Sequence, residues 1–296
     1  MVGKKLKSLL TNAYQEWRNS RKLISNQLEV SQQILRNKVL QIKKEETFDG
    51  MSKSWVKHNK TLQSKILKSP TKDFLSWKPI RKTMFVADDI RIVQFELPYL
   101  MTKGWLTKIS EDLVGNPKLI RGTNLSQNLV HHAYHLAKFE EFSKKKISEF
   151  QEFVEVGAGY GSMARLIHRV HGNTPNITLF DTRIFSALQA FFLNQLNISV
   201  KCVSSLDDVR TNSSSTLFIS TWALSEMPLN VRGESLSLLR GSAAFLIAYQ
   251  DEFEGIDNDK YFRDKLENQP EFQVIWVEID HLPGNRYIFG LKREID

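Results

Sequence analysis

Apolar positions fall into two regimes along the chain. From Lys4 to Asp49 there is neither Gly nor Pro, and Leu6, Leu10, Tyr14, Trp17, Ile24, Leu28, Leu35 and Ile42 recur at intervals of three, four and seven. That is the spacing of one face of a long amphipathic helix or a coiled coil, with Arg21, Ser31 and Lys38 interrupting the seam. Ser54 to Lys68 reads as a short helix closed by Ser69-Pro70. Met84-Phe85-Val86 and Arg91-Ile92-Val93-Gln94-Phe95 read as two strands around Asp88-Asp89, and Leu106 to Leu113 as a helix ending at Gly115-Asn116-Pro117. Beyond residue 150 strand and helix alternate. Phe153 to Val156, Ile177 to Phe180, Ile198 to Val203, Thr216 to Ser220, Ala243 to Tyr249, Gln273 to Ile279 and Tyr287 to Leu291 are the strands. Met163, Leu166, Ile167 and Val170 mark the apolar face of the first intervening helix, which Gly172 stops, and Ile184, Phe185, Leu188, Phe191 and Phe192 mark that of the second.

Composition narrows this picture. A chain of 296 residues that is 41% hydrophobic buries one large core, or one core and a smaller module. The single cysteine, Cys202, excludes an intramolecular disulfide framework, no apolar run is long enough to span a bilayer, and the apolar stretch near Met1 is shorter than a secretory signal is expected to have. The expectation is a cytoplasmic protein, with peripheral contact at the inner membrane face as an option. The net charge of +8 is unevenly placed: residues 1 to 82 carry 19 Lys/Arg against 6 Asp/Glu, a balance of +13, and the remainder is net acidic. The basic helix therefore offers a solvated face, a homodimer seam or contact with an anionic membrane; nucleic acid is disfavoured because aromatic residues that would stack on bases are sparse.

The chemistry centres on Glu155-Val156-Gly157-Ala158-Gly159-Tyr160-Gly161-Ser162, a buried strand breaking into a glycine turn and re-emerging as a helix. Glycines there let a ligand approach without meeting a Cβ, while N–H groups at the helix start face it. Ser162 stands where a dinucleotide fingerprint needs its third glycine, and G-x-G-x-G preceded by an acid instead looks like motif I of class I S-adenosylmethionine (SAM)-dependent methyltransferases. Asp181, at the carboxyl end of the second strand, is placed to take both ribose hydroxyls, and Asp207 is a weak candidate for the adenine amine. The Pro-Gly hairpin at 283–284 predicts an antiparallel last strand. The expected fold is thus α/β, a Rossmann-like class I methyltransferase sheet of seven strands with its last strand antiparallel, preceded by a mainly helical N-terminal region. Ligands of such sheets sit beyond the carboxyl ends of the strands, so residues 157–161, 181, 204–207, 221–227, 250–252 and 281–285 should ring one crevice. His131 and His135 share a helix face, but no third metal ligand is evident and none is assigned.

With these segments in hand the chain resembles the sugar O-methyltransferase family of bacterial polysaccharide gene clusters. The resembling pieces are Gly115-Asn116-Pro117, Ser126-x-Asn128 through Tyr134-His135-Leu136, the glycine motif, Ser220-Thr221-Trp222-Ala223-Leu224-Ser225-Glu226-Met227, and Leu282-Pro283-Gly284-Asn285-x-Tyr287-x-x-Gly290. The resemblance implies methyl transfer from SAM to a sugar hydroxyl. Glu155, Gly157, Ala158, Gly159, Tyr160, Gly161, Asp181 and Thr221 are the expected cofactor residues. Asn128, His131, His132, Tyr134, Trp222 and Asn285 are the expected acceptor residues. His281 and Glu226, with Asp251 behind them, are the candidate bases. A divalent ion held by Asp251, Glu252 and Glu226 is a chemical option the sequence does not establish. The expected organisation is a basic helical region over 1–82, a connecting or lid region over 83–125 and the methyltransferase domain over 126–296. Competing readings are a SAM-dependent methyltransferase of RNA or protein, and a non-catalytic SAM-fold assembly module.

Overall fold

A computed structural model describes residues 28–44, 51–84, 90–211 and 214–293. The part of the expected long helix before residue 28, and the run Phe85 to Asp89, lie outside the described residues. Among the described residues five α-helices come first: α1 (28–44), α2 (Lys53–Lys68), α3 (Lys78–Met84), α4 (Ile90–Thr102) and α5 (Gln127–Ser143). Among the described residues no helix is long and apolar enough to cross a membrane. The expected apolar face of α1 is used within the chain: Leu35, Val39 and Ile42 are buried in the main core, with Leu28 packed against it. Arg36 of α1 also donates to the backbone carbonyls of Ile66 and Ser69 at the end of α2.

The sheet follows: β1 (Glu152–Val156), β2 (Asn176–Phe180), β3 (Lys201–Val203), β4 (Thr216–Thr221), β5 (Ala244–Gln250), β6 (Phe272–Glu278) and β7 (Asn285–Lys292). Its order is β3-β2-β1-β4-β5-β7-β6, with β1 to β5 parallel and β7 antiparallel to both neighbours. This is the Rossmann-like seven-stranded arrangement that the hairpin predicts. The central strands are covered on both faces and so read as apolar runs rather than alternations; residues 153–156 and 244–249 are all buried. One face is covered by α5, α6 (Ser162–His171) and α7 (Arg183–Gln195). The other carries α9 (Leu229–Ser237) and α10 (Asn258–Leu266), with Phe262, Leu266 and Leu239 under them, and the single turn α8 (Ala223–Glu226) follows β4.

Two expectations fail. Arg91 to Phe95 is not a strand but the first part of α4, and Met84 ends α3. The β-branched Ile92-Val93 pair favours a strand locally, yet Val93, Glu96 and Leu100 lie on one helical face and all three are buried, so tertiary packing overrides propensity. The helix expected over Leu106 to Leu113 is absent as well. That segment is irregular because its polar groups bond elsewhere: the Glu111 N–H donates to the Asn124 carbonyl at 2.8 Å, and the Glu111 carboxylate pairs with Arg165 of α6. Strand β3 is shorter than expected, beginning at Lys201 rather than Ile198.

Candidate active site

The glycine turn between β1 and α6 is held open by its own geometry. Gly157 has φ +78°, and a Cβ there would lie 1.9 Å from the Cβ of Ala223. Gly172, the stop of α6, has nearly the same φ of +81° but open space around it. Gly157→Ala should therefore destabilise by clearly more than Gly172→Ala, whose loss is the conformational ~1–2 kcal/mol alone. Thermal melts of the two variants check this, and equal losses would show that Ala223 yields freely.

Beyond the carboxyl ends of the strands lies one cavity of ≈ 600 Å³. Its first end is lined by Glu155, Gly157, Ala158, Gly159, Tyr160, Phe180, Asp181, Thr182 and the 204–207 turn. Asp181 leaves β2 with Oδ2 accepting the Gly159 N–H at 2.8 Å and Oδ1 accepting the Thr182 N–H at 2.7 Å. Burial pushes the Asp181 carboxyl up to about 7, against the pull of those two N–H groups. Burial and the nearby charge of Asp181 hold the Glu155 carboxyl well above the usual carboxylate range, and its Oε2 is buried with no hydrogen-bond partner. Tyr160 is fixed by Asn128, whose Nδ2 donates to the phenol oxygen at 2.8 Å.

The second end is lined by Asn128, His131, His132, Thr221, Trp222, Glu226, Leu282 and Asn285. Trp222 sits at a left-handed φ of 63° and donates from Nε1 to Asn285 Oδ1 at 2.7 Å, joining the loop after β4 to the start of β7. Burial raises the Glu226 carboxyl, and its oxygens accept from Trp55 Nε1 at 2.8 Å and Gln250 Nε2 at 3.3 Å. Burial, then the charges of His131 and Arg165, push His132 down to about 3.

Four expected site residues do not line the cavity. The Asp251 carboxylate pairs with Arg286, which also reaches Asp259 at 3.2 Å, and of the 250–252 stretch it is Gln250 that reaches a lining residue, Glu226. Gly161 begins α6 and lies against Leu193. Tyr134 is packed edge-on to His281 and Tyr99. His281 donates to Glu96 at 2.8 Å and stacks on Phe95 at 4.4 Å. The acidic trio of Asp251, Glu252 and Glu226 is accordingly not gathered at the cavity, where Glu226 stands without the other two.

Three participants went unread in the sequence. Trp55 of α2 reaches Glu226, and Asn59 accepts a hydrogen bond from Thr182 Oγ1 at 2.7 Å, so the basic N-terminal region supplies part of the wall, with Met51, Thr83 and Met84. Nothing in the local pattern marks these. Glu96 is the third; it follows a stretch read as a strand, so nothing local marked it as inward before the helix was seen.

No protein-family model and no curated protein matches the chain. Among solved structures it is similar to a SAM-dependent methyltransferase from Aquifex aeolicus, at 16% identity over 54% of this chain and 92% of that one, with a TM-score of 0.42. It is also similar to the mitomycin 7-O-methyltransferase MmcR, at 10% identity over 55% and 57% of the two chains and a TM-score of 0.41. A third is cofactor-bound Rv0187 from MTB, at 11% identity over 77% and 100% and a TM-score of 0.44. At such distances the cavity's own residues carry the functional reading.

Proposed function

We propose that the chain is a SAM-dependent O-methyltransferase whose acceptor is a sugar hydroxyl. The observation that carries the reading is the first end of the cavity: a glycine cradle flanked by a partnerless buried carboxylate and by a second carboxylate at the end of β2. SAM has matching groups. Its methionyl ammonium answers Glu155, its ribose diol answers Asp181, and the glycine turn makes room for the chain between them; bound there, it supplies an electrophilic methyl group. Ser204 to Asp207 stand at the rim where the base of such a ligand would reach.

The protein's own contribution is positioning. Asn128 holds Tyr160, Asp181 holds the Gly159 N–H, and the Trp222–Asn285 bond keeps the acceptor wall in place, which is how a bimolecular transfer gains a large part of its rate. The acceptor end supports the sugar reading with an aromatic face and amides, the groups that bind a polyol, but no cationic side chain lines it among the described residues apart from its imidazoles.

Titration of the protein with SAM and S-adenosylhomocysteine tests the cofactor, and transfer of a labelled methyl group to free sugars and sugar nucleotides tests the acceptor. Absence of SAM binding overturns the whole reading; binding with transfer to RNA or a protein instead overturns the sugar alone.

The pH dependence has a definite sign. Asp181 holds a proton up to about pH 7 in the free protein, and Glu155 is raised too. An ammonium and a diol favour the ionised carboxylates and lower both values, so binding releases protons at pH 6 and tightens as pH rises towards about 7. Calorimetry at pH 6 in buffers of different ionisation heat should show that release, and zero release or net uptake would contradict it.

A further inference from the structure

The chain carries 41 Lys and Arg residues and a net charge of +8, yet among the described residues none of those cations lines the cavity. Five carboxylates do: Glu155, Asp181, Asp207, Glu226 and Glu234. The first three stand at the end proposed for SAM. Glu226 and Glu234 are left to face the acceptor.

These two differ in setting. Glu234 is exposed on α9, where water meets its charge. Glu226 ends the single turn α8, and its oxygens are held by two neutral donors, Trp55 Nε1 at 2.8 Å and Gln250 Nε2 at 3.3 Å. Burial is the leading influence on its carboxyl and raises it, and among the described residues no cation stands against that charge. A carboxylate drawn out of water without a cation costs free energy that two neutral hydrogen bonds return only in part. It offers about four acceptor positions, of which the protein fills two. Trp55, whose N–H holds Oε2, lines the same cavity. A positive charge on the ligand completes such a group.

We propose that the acceptor is a sugar bearing a protonated amine, and that Glu226 is the specificity-determining residue that binds its ammonium. The inference rests on the SAM-dependent O-methyltransferase reading above and deepens it by naming the acceptor class. It sets aside acceptors that carry phosphate or pyrophosphate, sugar nucleotides included, because a wall of carboxylates without Lys or Arg repels them. The imidazoles do not replace the missing cations: burial, first among its causes, holds His132 down at about 3, and His131 is already paired with Glu96. A carboxylate partner favours the protonated amine. An ammonium has no lone pair, so the nitrogen anchored on Glu226 is not methylated and the methyl group goes to a hydroxyl of the same sugar.

A role for Glu226 as general base has a different signature. Loss of a base slows the chemical step for every acceptor alike, whereas loss of an ammonium-binding charge acts only on acceptors that carry one, and acts on KM.

The test measures transfer of a labelled methyl group by the full chain. The acceptors are the 2-, 3- and 4-amino derivatives of glucose, their N-acetyl forms, glucose and glucose 1-phosphate. The wild type should use at least one amino sugar with a kcat/KM roughly 10–100-fold above that of its N-acetyl form and of glucose, with the phosphate poorest and the methyl on oxygen by mass spectrometry. Glu226→Gln keeps an acceptor for Trp55 and should lose that advantage through KM, with kcat within about threefold of wild type. Glu226→Asp, which keeps the charge, should retain most of the preference, and Glu234→Gln, which removes an exposed charge, should retain all of it. Melting curves and SAM titration show that each variant is folded and loaded, and the wild-type ranking alone decides the charge preference should a variant fail to fold. Turnover confined to neutral or phosphorylated sugars, no turnover of any amino sugar, methyl on nitrogen, or equal slowing of charged and neutral acceptors by Glu226→Gln overturns the proposal. Failure of the wild type to bind SAM is a different result and overturns the cofactor reading instead.

Discussion

Asp181→Ala weakens SAM binding by at least about 100-fold, the largest effect expected of a single side chain on the cofactor. In the folded chain this carboxylate is held from two sides by the Gly159 and Thr182 N–H groups at 2.8 and 2.7 Å, so it meets a ligand already oriented. Two hydroxyls of a ribose would add charge-assisted hydrogen bonds worth roughly 1.5–3 kcal/mol each, and a tenfold change in affinity corresponds to about 1.4 kcal/mol. Asp181→Asn keeps one acceptor oxygen and gives up the charge, so its loss should fall between those of wild type and Asp181→Ala. Calorimetric titration of the three proteins, with melting curves to show that each is folded, checks the order. Wild-type affinity in the alanine variant would remove Asp181 from the site.

Arg165→Ala lowers the melting temperature by roughly 10 °C, the largest expected effect on stability away from the cofactor. The guanidinium is 1% exposed and pairs with Glu111, which is 4% exposed, and with Asp112 at 3.2 Å. Removing the cation strands a buried carboxylate, which costs about 3–5 kcal/mol, and each kcal/mol corresponds to roughly 2–4 °C for domains of about this size. The damage should also reach the site. Ser126, the N-cap of α5, donates to the same Glu111, and α5 carries Asn128, His131 and His132. Arg165→Leu combined with Glu111→Leu removes both charges and should recover much of the loss; a double variant as unstable as Arg165→Ala would show that packing, not the stranded charge, is the cause.

The end of the cavity proposed for SAM was legible along the chain because its parts are local. Strand β1, the glycines and α6 follow one another directly, and Asp181 stands at the end of the next strand, so alternation and turn chemistry place all of them without knowledge of any distant contact. The acceptor end was read less well. His281 and Asp251 are at the ends of the expected strands, but their side chains turn to Glu96 and Arg286, and position at a strand end says nothing about direction. Helix α4 was read as a strand because Ile92-Val93 looks β-like and Glu96 breaks the apolar stripe that would have revealed the helix; the residue that hid the helix is the one that pairs with two histidines.

What the sequence by itself determined is the alternation of strand and helix, the antiparallel last strand behind its Pro-Gly turn, and the glycine cradle with Glu155 and Asp181. Each depends on interactions between near neighbours in the chain. Only the tertiary structure decided that α2 and Trp55 close the cavity, that Glu96 joins His131 to His281, and that Asp251 belongs to Arg286. These pairings join groups 171, 35, 185 and 35 residues apart. No periodicity encodes such distances; they are settled when packing brings buried polar groups together and each must find a partner.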